Sequence, residues 1–177
     1  MKNVICFLLF HICLVPEMLL AQKDKDLHWL KLSAGLGGAE IAAAIDYNWA
    51  PSDKLISIGV HTIFSERILS PARTNAAAAT IGVYTNRKHG FLGASAGVGP
   101  VWGIKEGEIL GGAGFSWGHY QEIPFTTIGI PIQAEFRFDP IKYAGAGLTF
   151  FANLNPRYTY VACMLSLSAG RLKSSKI

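Results

Sequence analysis

Residues 126–151, TTIGIPIQAEFRFDPIKYAGAGLTFF, alternate almost without error. Ile128, Ile130, Ile132, Ala134, Phe136 and Phe138 fall on one face of an extended chain. Thr127, Gly129, Pro131, Gln133, Glu135 and Arg137 fall on the other, because side chains on a strand switch faces with period two. A soluble sandwich and a membrane barrel both write this pattern. They differ in which face is wet and in how many strands repeat it.

The pattern recurs along the chain. Leu30, Leu32, Ala34 and Leu36 oppose Lys31, Ser33, Gly35 and Gly37; Ile41, Ala43, Ile45, Tyr47 and Trp49 oppose Glu40, Ala42, Ala44, Asp46 and Asn48. Residues 56–65, 92–102, 144–150 and 160–168 repeat the separation, and residues 76–85 and 109–118 repeat it weakly. Turn-forming clusters separate the windows, among them APSDK at 50–54, NRKHG at 86–90 and the DP pair at 139–140. No helix is expected.

In a soluble sandwich the second face would carry Lys, Glu, Asp and Gln. Here it is mostly Gly, Ser, Ala and Thr with a few charges, which suits the cramped inside of a barrel of roughly eight strands. The apolar face then points outward, as lipid requires. The windows also have the length, ~10 residues, that a tilted strand needs to cross a bilayer. Trp49, Phe64, Trp102, Phe138 and Phe150, with Tyr143 nearby, gather near window ends, where barrels place aromatic girdles at the two lipid interfaces.

Single-chain bacterial barrels have an even strand number, with both termini at the end that carries the short turns. The windows number nine, and counting from both ends agrees only if one between 91 and 138 does not span. Residues 109–118, rich in glycine, are the natural exception. The fold expected is all-β, a closed antiparallel up-and-down transmembrane β-barrel of eight strands, with ten as the alternative. Its long external loops fall at 66–75 and 103–125, the second with room for a short strand or hairpin. Pro100 and Pro131, which cannot donate to a ladder, should each mark a bulge or a strand end.

A chain of 177 residues makes one domain with a real core. Residues 1–21 read as a signal peptide with cleavage after Ala21: a basic start, an apolar run too short to span a bilayer, and a small residue before the cut. Residues 22–177 are then the barrel domain. Cys6 and Cys13 leave with the signal, so Cys163 has no internal partner, and among its apolar neighbours a buried, inert thiol is expected. The net charge of +4 is dispersed, with no basic stripe, which argues against nucleic-acid binding.

The signal, the alternating strands and the closing segment KYAGAGLTFFANLNPRYTYVACMLSLSAGRL, residues 142–172, resemble the small outer-membrane β-barrel proteins of Gram-negative bacteria, of OmpA or OmpX-like architecture. The likeness runs over nearly all of residues 27–172. It implies an outer-membrane location, contact with outer-membrane lipids and lipopolysaccharide, delivery by the barrel assembly machinery and a monomeric state. Many such barrels end in an aromatic residue that aids assembly, whereas this chain continues past Arg171 to Ile177.

Lumen-facing polar residues are the sharpest local feature. Lys31, Asp46, His61, Gln133, Glu135 and Arg137 would lie inside, where charges persist only if paired and hydrogen-bonded. A structural ion-pair network is the expectation, with a polar or proton-linked pathway as its rival. No catalytic, metal or cofactor motif emerges, so no cofactor is expected; the four histidines of the exported chain are scattered singly. The function expected is a non-enzymatic structural or surface-interaction role with specificity in the external loops. The alternatives are a lipid-modifying acyl hydrolase or transferase using Ser116 and His119, and a soluble lipocalin-like binder with its large apolar side chains inside.

Overall fold

The computed structural model describes residues 26–38, 40–65, 72–87, 89–109 and 120–173. The expected signal peptide at 1–21, residues 66–71 and 110–119 of the two long loops, and with them Ser116 and His119, lie outside the described residues.

The alternating windows become eight strands: β1 (Leu27–Leu36), β2 (Glu40–Ala50), β3 (Lys54–Ser65), β4 (Arg73–Arg87), β5 (Gly90–Ile109), β6 (Tyr120–Phe138), β7 (Ala144–Leu154) and β8 (Tyr160–Arg171). Each pairs antiparallel with the next, and β1 also pairs with β8, which closes the barrel. Partners drift steadily along the strands. Leu36, the last residue of β1, lies level with Cys163, then Phe150, Ala134, Ala94, Val83 and finally Lys54, the first residue of β3. That stagger is the geometric counterpart of strongly tilted strands.

One end of the barrel carries the short turns. At 51–53 the turn is closed by a bond from Lys54 N to Pro51 O of 3.1 Å, with Ser52 at φ 58° and its carbonyl accepting from Tyr84 Oη at 2.7 Å. At the other end the β1–β2 hairpin turns through Gly38, whose φ of 69° favours glycine.

Polarity is inverted relative to a globular protein. Leu165 is 73% exposed, Ile128 69% and Leu167 67%, while Lys31 and Arg137 are 0% exposed. On β6 the burial alternates residue by residue: Pro131, Gln133, Glu135 and Arg137 face in, and Ile132, Ala134, Phe136 and Phe138 face out. The outward set matches the apolar face read from the sequence. It also runs against a lipocalin-like arrangement, which would turn that set inward.

Three expectations change. Residues 103–125 do hold a hairpin, but as a continuation of the spanning strands: Gly103 pairs with Phe125, Lys105 with Ile123 and Glu106 with Glu122, so β5 and β6 run on past the rim until a register shift between Glu106 and Ile109. Likewise β4 begins at Arg73, inside the proposed 66–75 loop. The prolines produce neither bulges nor strand ends. The β4–β5 ladder omits Ala77, Ala78, Gly99 and Pro100, and the β5–β6 ladder omits Gly97, Val98, Ile130 and Pro131, each resuming in unchanged register. A missing N–H is absorbed as a local gap because the flanking pairs hold the alignment. Lastly, Cys163 is exposed on the outer face beside Val161 and Leu165. Its apolar neighbours reflect the outward side of the barrel wall.

Candidate functional site

Strand parity aims Lys31 of β1, Asp46 of β2, His61 of β3 and Gln133, Glu135 and Arg137 of β6 into the lumen, and all are buried. Lys31 Nζ donates to Glu135 Oε2 at 3.1 Å and Gln133 Oε1 at 3.3 Å. It also lies 3.5 Å from Asp46 Oδ2, an ionic contact without hydrogen-bond geometry. Asp46 Oδ1 accepts from His61 Nε2 at 2.8 Å and from Gln133 Nε2 at 3.3 Å. A carboxylate only accepts, so this geometry assigns the imidazole proton to Nε2. The 3.2 Å approach of Gln133 Nε2 to His61 Nε2 is therefore a contact between two donors sharing one acceptor.

Arg137 links this group to the short-turn end. Its Nη1 donates to Glu135 Oε1 at 3.0 Å, and Nε and Nη2 donate to the two oxygens of Asp139 at 2.7 and 3.3 Å. The guanidinium carbon lies 4.3 Å from the ring centroids of both Trp29 and Phe91. The bidentate fork and the two rings fix the one cation whose shape suits both.

Apolar side chains fill the lumen on either side. Toward the short turns stand Leu27, Trp29, Ala50, Leu55, Phe91 and Leu172, with Trp29 and Phe91 edge to face at 5.2 Å. Leu172, past the end of β8, is held there by bonds from its N to Lys142 O at 2.9 Å and from Asn86 Nδ2 to its O at 3.1 Å. Toward the long loops stand Ile63, Phe151, Tyr160 and Met164 with small alanines, and His61 packs edge-on against Phe151 at 3.9 Å.

Asp139, Trp29, Phe91 and Leu172 were not among the lumen residues read from the sequence. Parity carried a signal for two of them: Trp29 is in phase with Lys31, and Phe91 with Gly93 and Ser95. Asp139 sits in a DP pair that reads only as a turn, and Leu172 follows the last strand, where alternation says nothing.

The aromatics divide by depth. Trp49, Phe138 and Tyr143 stand at the short-turn end, and Phe64 and Trp102 near the opposite rim. Phe150 faces out from mid-β7, opposite Ala134 and Cys163, because β7 continues to Leu154 beyond the window that ended at Phe150.

The mouth at the long-loop end is lopsided, since β5 and β6 rise past their neighbours. The inward face of this extension meets the 155–159 turn. Asn155 organises the turn: its Oδ1 accepts from the N of Arg157 at 3.1 Å and of Tyr158 at 2.7 Å, and its Nδ2 donates to Tyr158 O at 2.7 Å. Tyr158 Oη donates to the Glu40 carboxylate. Burial, that hydrogen bond and the charges of Glu40 and Glu106 hold the phenol well above the usual tyrosine range.

No family model and no curated protein matches the sequence. By structure the chain is similar to the N-terminal β-barrel domain of Pseudomonas aeruginosa OprF, with a TM-score of 0.59 at 9% identity over 84% of this chain and 99% of that one. It is also similar to the Yersinia pestis outer membrane protein Ail in a phospholipid bilayer nanodisc, with a TM-score of 0.51 at 11% identity over 82% and 99%. A de novo designed transmembrane β-barrel gives 0.50 at 12% identity over 84% and 98%. With its ring of eight antiparallel strands, apolar outer face and filled polar interior, the chain has the architecture of the small eight-stranded outer-membrane β-barrels.

Proposed function

We propose that the protein is a non-enzymatic barrel of the outer membrane with a structural or surface-interaction role. The observation that carries this reading is the inverted polarity: an exterior of Leu, Ile, Val and Phe around an interior of paired charges. A continuous apolar surface of this kind is costly in water, at ~25 cal/mol per Å² of apolar area, and suits acyl chains. The outward aromatics at both ends then rest at the two interfaces, with lipopolysaccharide around the upper rim. Export by the signal at 1–21, delivery by the barrel assembly machinery and a monomeric state complete the reading.

The lumen residues act as structure in this account. Every charged side chain of the network has an opposite charge at hand, and the apolar groups above and below close the ends. Whatever specificity the protein has resides where β5, β6 and the other strand ends project beyond the membrane. Fractionation and an unheated detergent gel test this. The folded barrel should sediment with outer membranes and migrate differently from the boiled sample; a freely soluble pool, or identical migration, would contradict it.

A further inference from the structure

The mouth holds a cavity of about 300 Å³ lined by Lys105, Ile123, Pro124, Phe125, Thr126 and Arg157. Resting on the reading above that this end faces outward, we propose that it is a binding site for a phosphate-bearing sugar. Lys105 and Arg157 supply the two cations. The Lys105 ammonium lies 5.4 Å from the Phe125 ring centroid and 5.7 Å from that of Tyr158, so it is held in place before any anion arrives. Arg157 belongs to the turn that Asn155 ties down, and its guanidinium offers the planar fork that phosphate oxygens accept from.

The carboxylates nearby offset this charge only in part. Glu40 is engaged by Tyr158 Oη. Glu106 is half-buried and near enough to act on the Tyr158 phenol, so it takes up part of the positive charge, while Glu122, opposite it across the β5–β6 ladder, is exposed at the other parity from Lys105 and Ile123. Between the cations, Phe125 and Ile123 form an apolar wall, and the chain at Pro124 and Thr126, whose side chains have the outward parity, completes the lining. The cavity is at the small end of ligand sites, enough for one sugar ring and its phosphate and too small to seat a folded partner. A ring gives the wall something to cover, and the phosphate gives the two cations their partner.

Two sources share this chemistry: the phosphorylated sugars of lipopolysaccharide at the surrounding membrane surface, and soluble phosphosugars. The test uses the full barrel in phosphatidylcholine nanodiscs, titrated with glucose 6-phosphate, glucose and inorganic phosphate by calorimetry. Saturable binding of glucose 6-phosphate is expected, tighter than either control and weakened at least about tenfold in the double variant Lys105→Ala/Arg157→Ala, as loss of two charge-assisted contacts implies. Displacement by lipid A added to the nanodisc assigns the ligand to the membrane; binding that persists assigns it to solution, and both uphold the site. No saturation, equal binding of glucose or phosphate, or an unaffected variant overturns it. Both substitutions lie outside the membrane-spanning wall, and the unheated gel checks that the variant is folded. A single cysteine at Pro156, exposed in the 155–159 turn, in a Cys163→Ser background and labelled on intact cells, separates the failures. A cysteine that reacts in a barrel that does not bind defeats only this site; one that stays protected defeats the outward orientation.

Discussion

Glu135 is the residue on which the interior turns, because among the described residues it alone joins Lys31 on one side to Arg137 on the other, at 3.1 and 3.0 Å. Removing one partner of a buried pair leaves the other charge without compensation, which costs far more than the pair contributes. Glu135→Ala should lower the barrel's stability by about 3–5 kcal/mol in reversible urea unfolding from lipid vesicles, with Glu135→Gln milder because the amide oxygen still accepts. Gly59 makes a second test. A Cβ there would fall 2.0 Å from Asp46 Oδ1 and 2.7 Å from Ile45 O, so Gly59→Ala should expel Asp46 from its bonds with His61 and Gln133. Its cost should approach that of Glu135→Ala. Gly38→Ala, at φ +69° with nothing within 4 Å, should cost only ~1–2 kcal/mol from the backbone alone.

At the scale of the strand, sequence and structure meet through period two. Residues 126–138 could be read without coordinates because each side chain is committed to one of two solvents, and a slip of one residue would swap them all. The same logic explains what escaped. Gly103, Lys105 and Glu106 look like loop because their alternation is poor, yet backbone pairing with Phe125, Ile123 and Glu122 needs no side-chain pattern once the hairpin is started below. Pro100 and Pro131 look like breaks, yet a closed ring holds register across a missing bond. Within the lumen, parity identified the charges on β1, β2, β3 and β6 but not Asp139 or Leu172, which enter from outside the strands. Depth gives the matching prediction. Leu165→Arg, mid-wall on β8, should destabilise by about 2–4 kcal/mol, whereas Ile104→Arg, of outward parity on the β5 extension beyond the rim, should cost ~0–1 kcal/mol in the same unfolding assay.

For the molecule as a whole, the closed ring leaves the membrane-level strands without free edges, and the filled lumen makes the barrel a solid pillar with its exposed chemistry at the mouth. In the proposed function, recognition falls to what the extension of β5 and β6 and the neighbouring turns present, and the interior network serves the fold. Everything depends on which face of the wall meets lipid. The direct measurement is collisional accessibility of spin labels placed one at a time along residues 128–138 in a Cys163→Ser background, in bilayers, using molecular oxygen as the lipid-soluble relaxant and a nickel chelate as the aqueous one. Labels at the even positions, from Ile128 to Phe138, should collide with oxygen and not with the chelate, and labels at the odd positions, from Gly129 to Arg137, with neither. Even positions open to the chelate, or a profile without period two, would contradict the account.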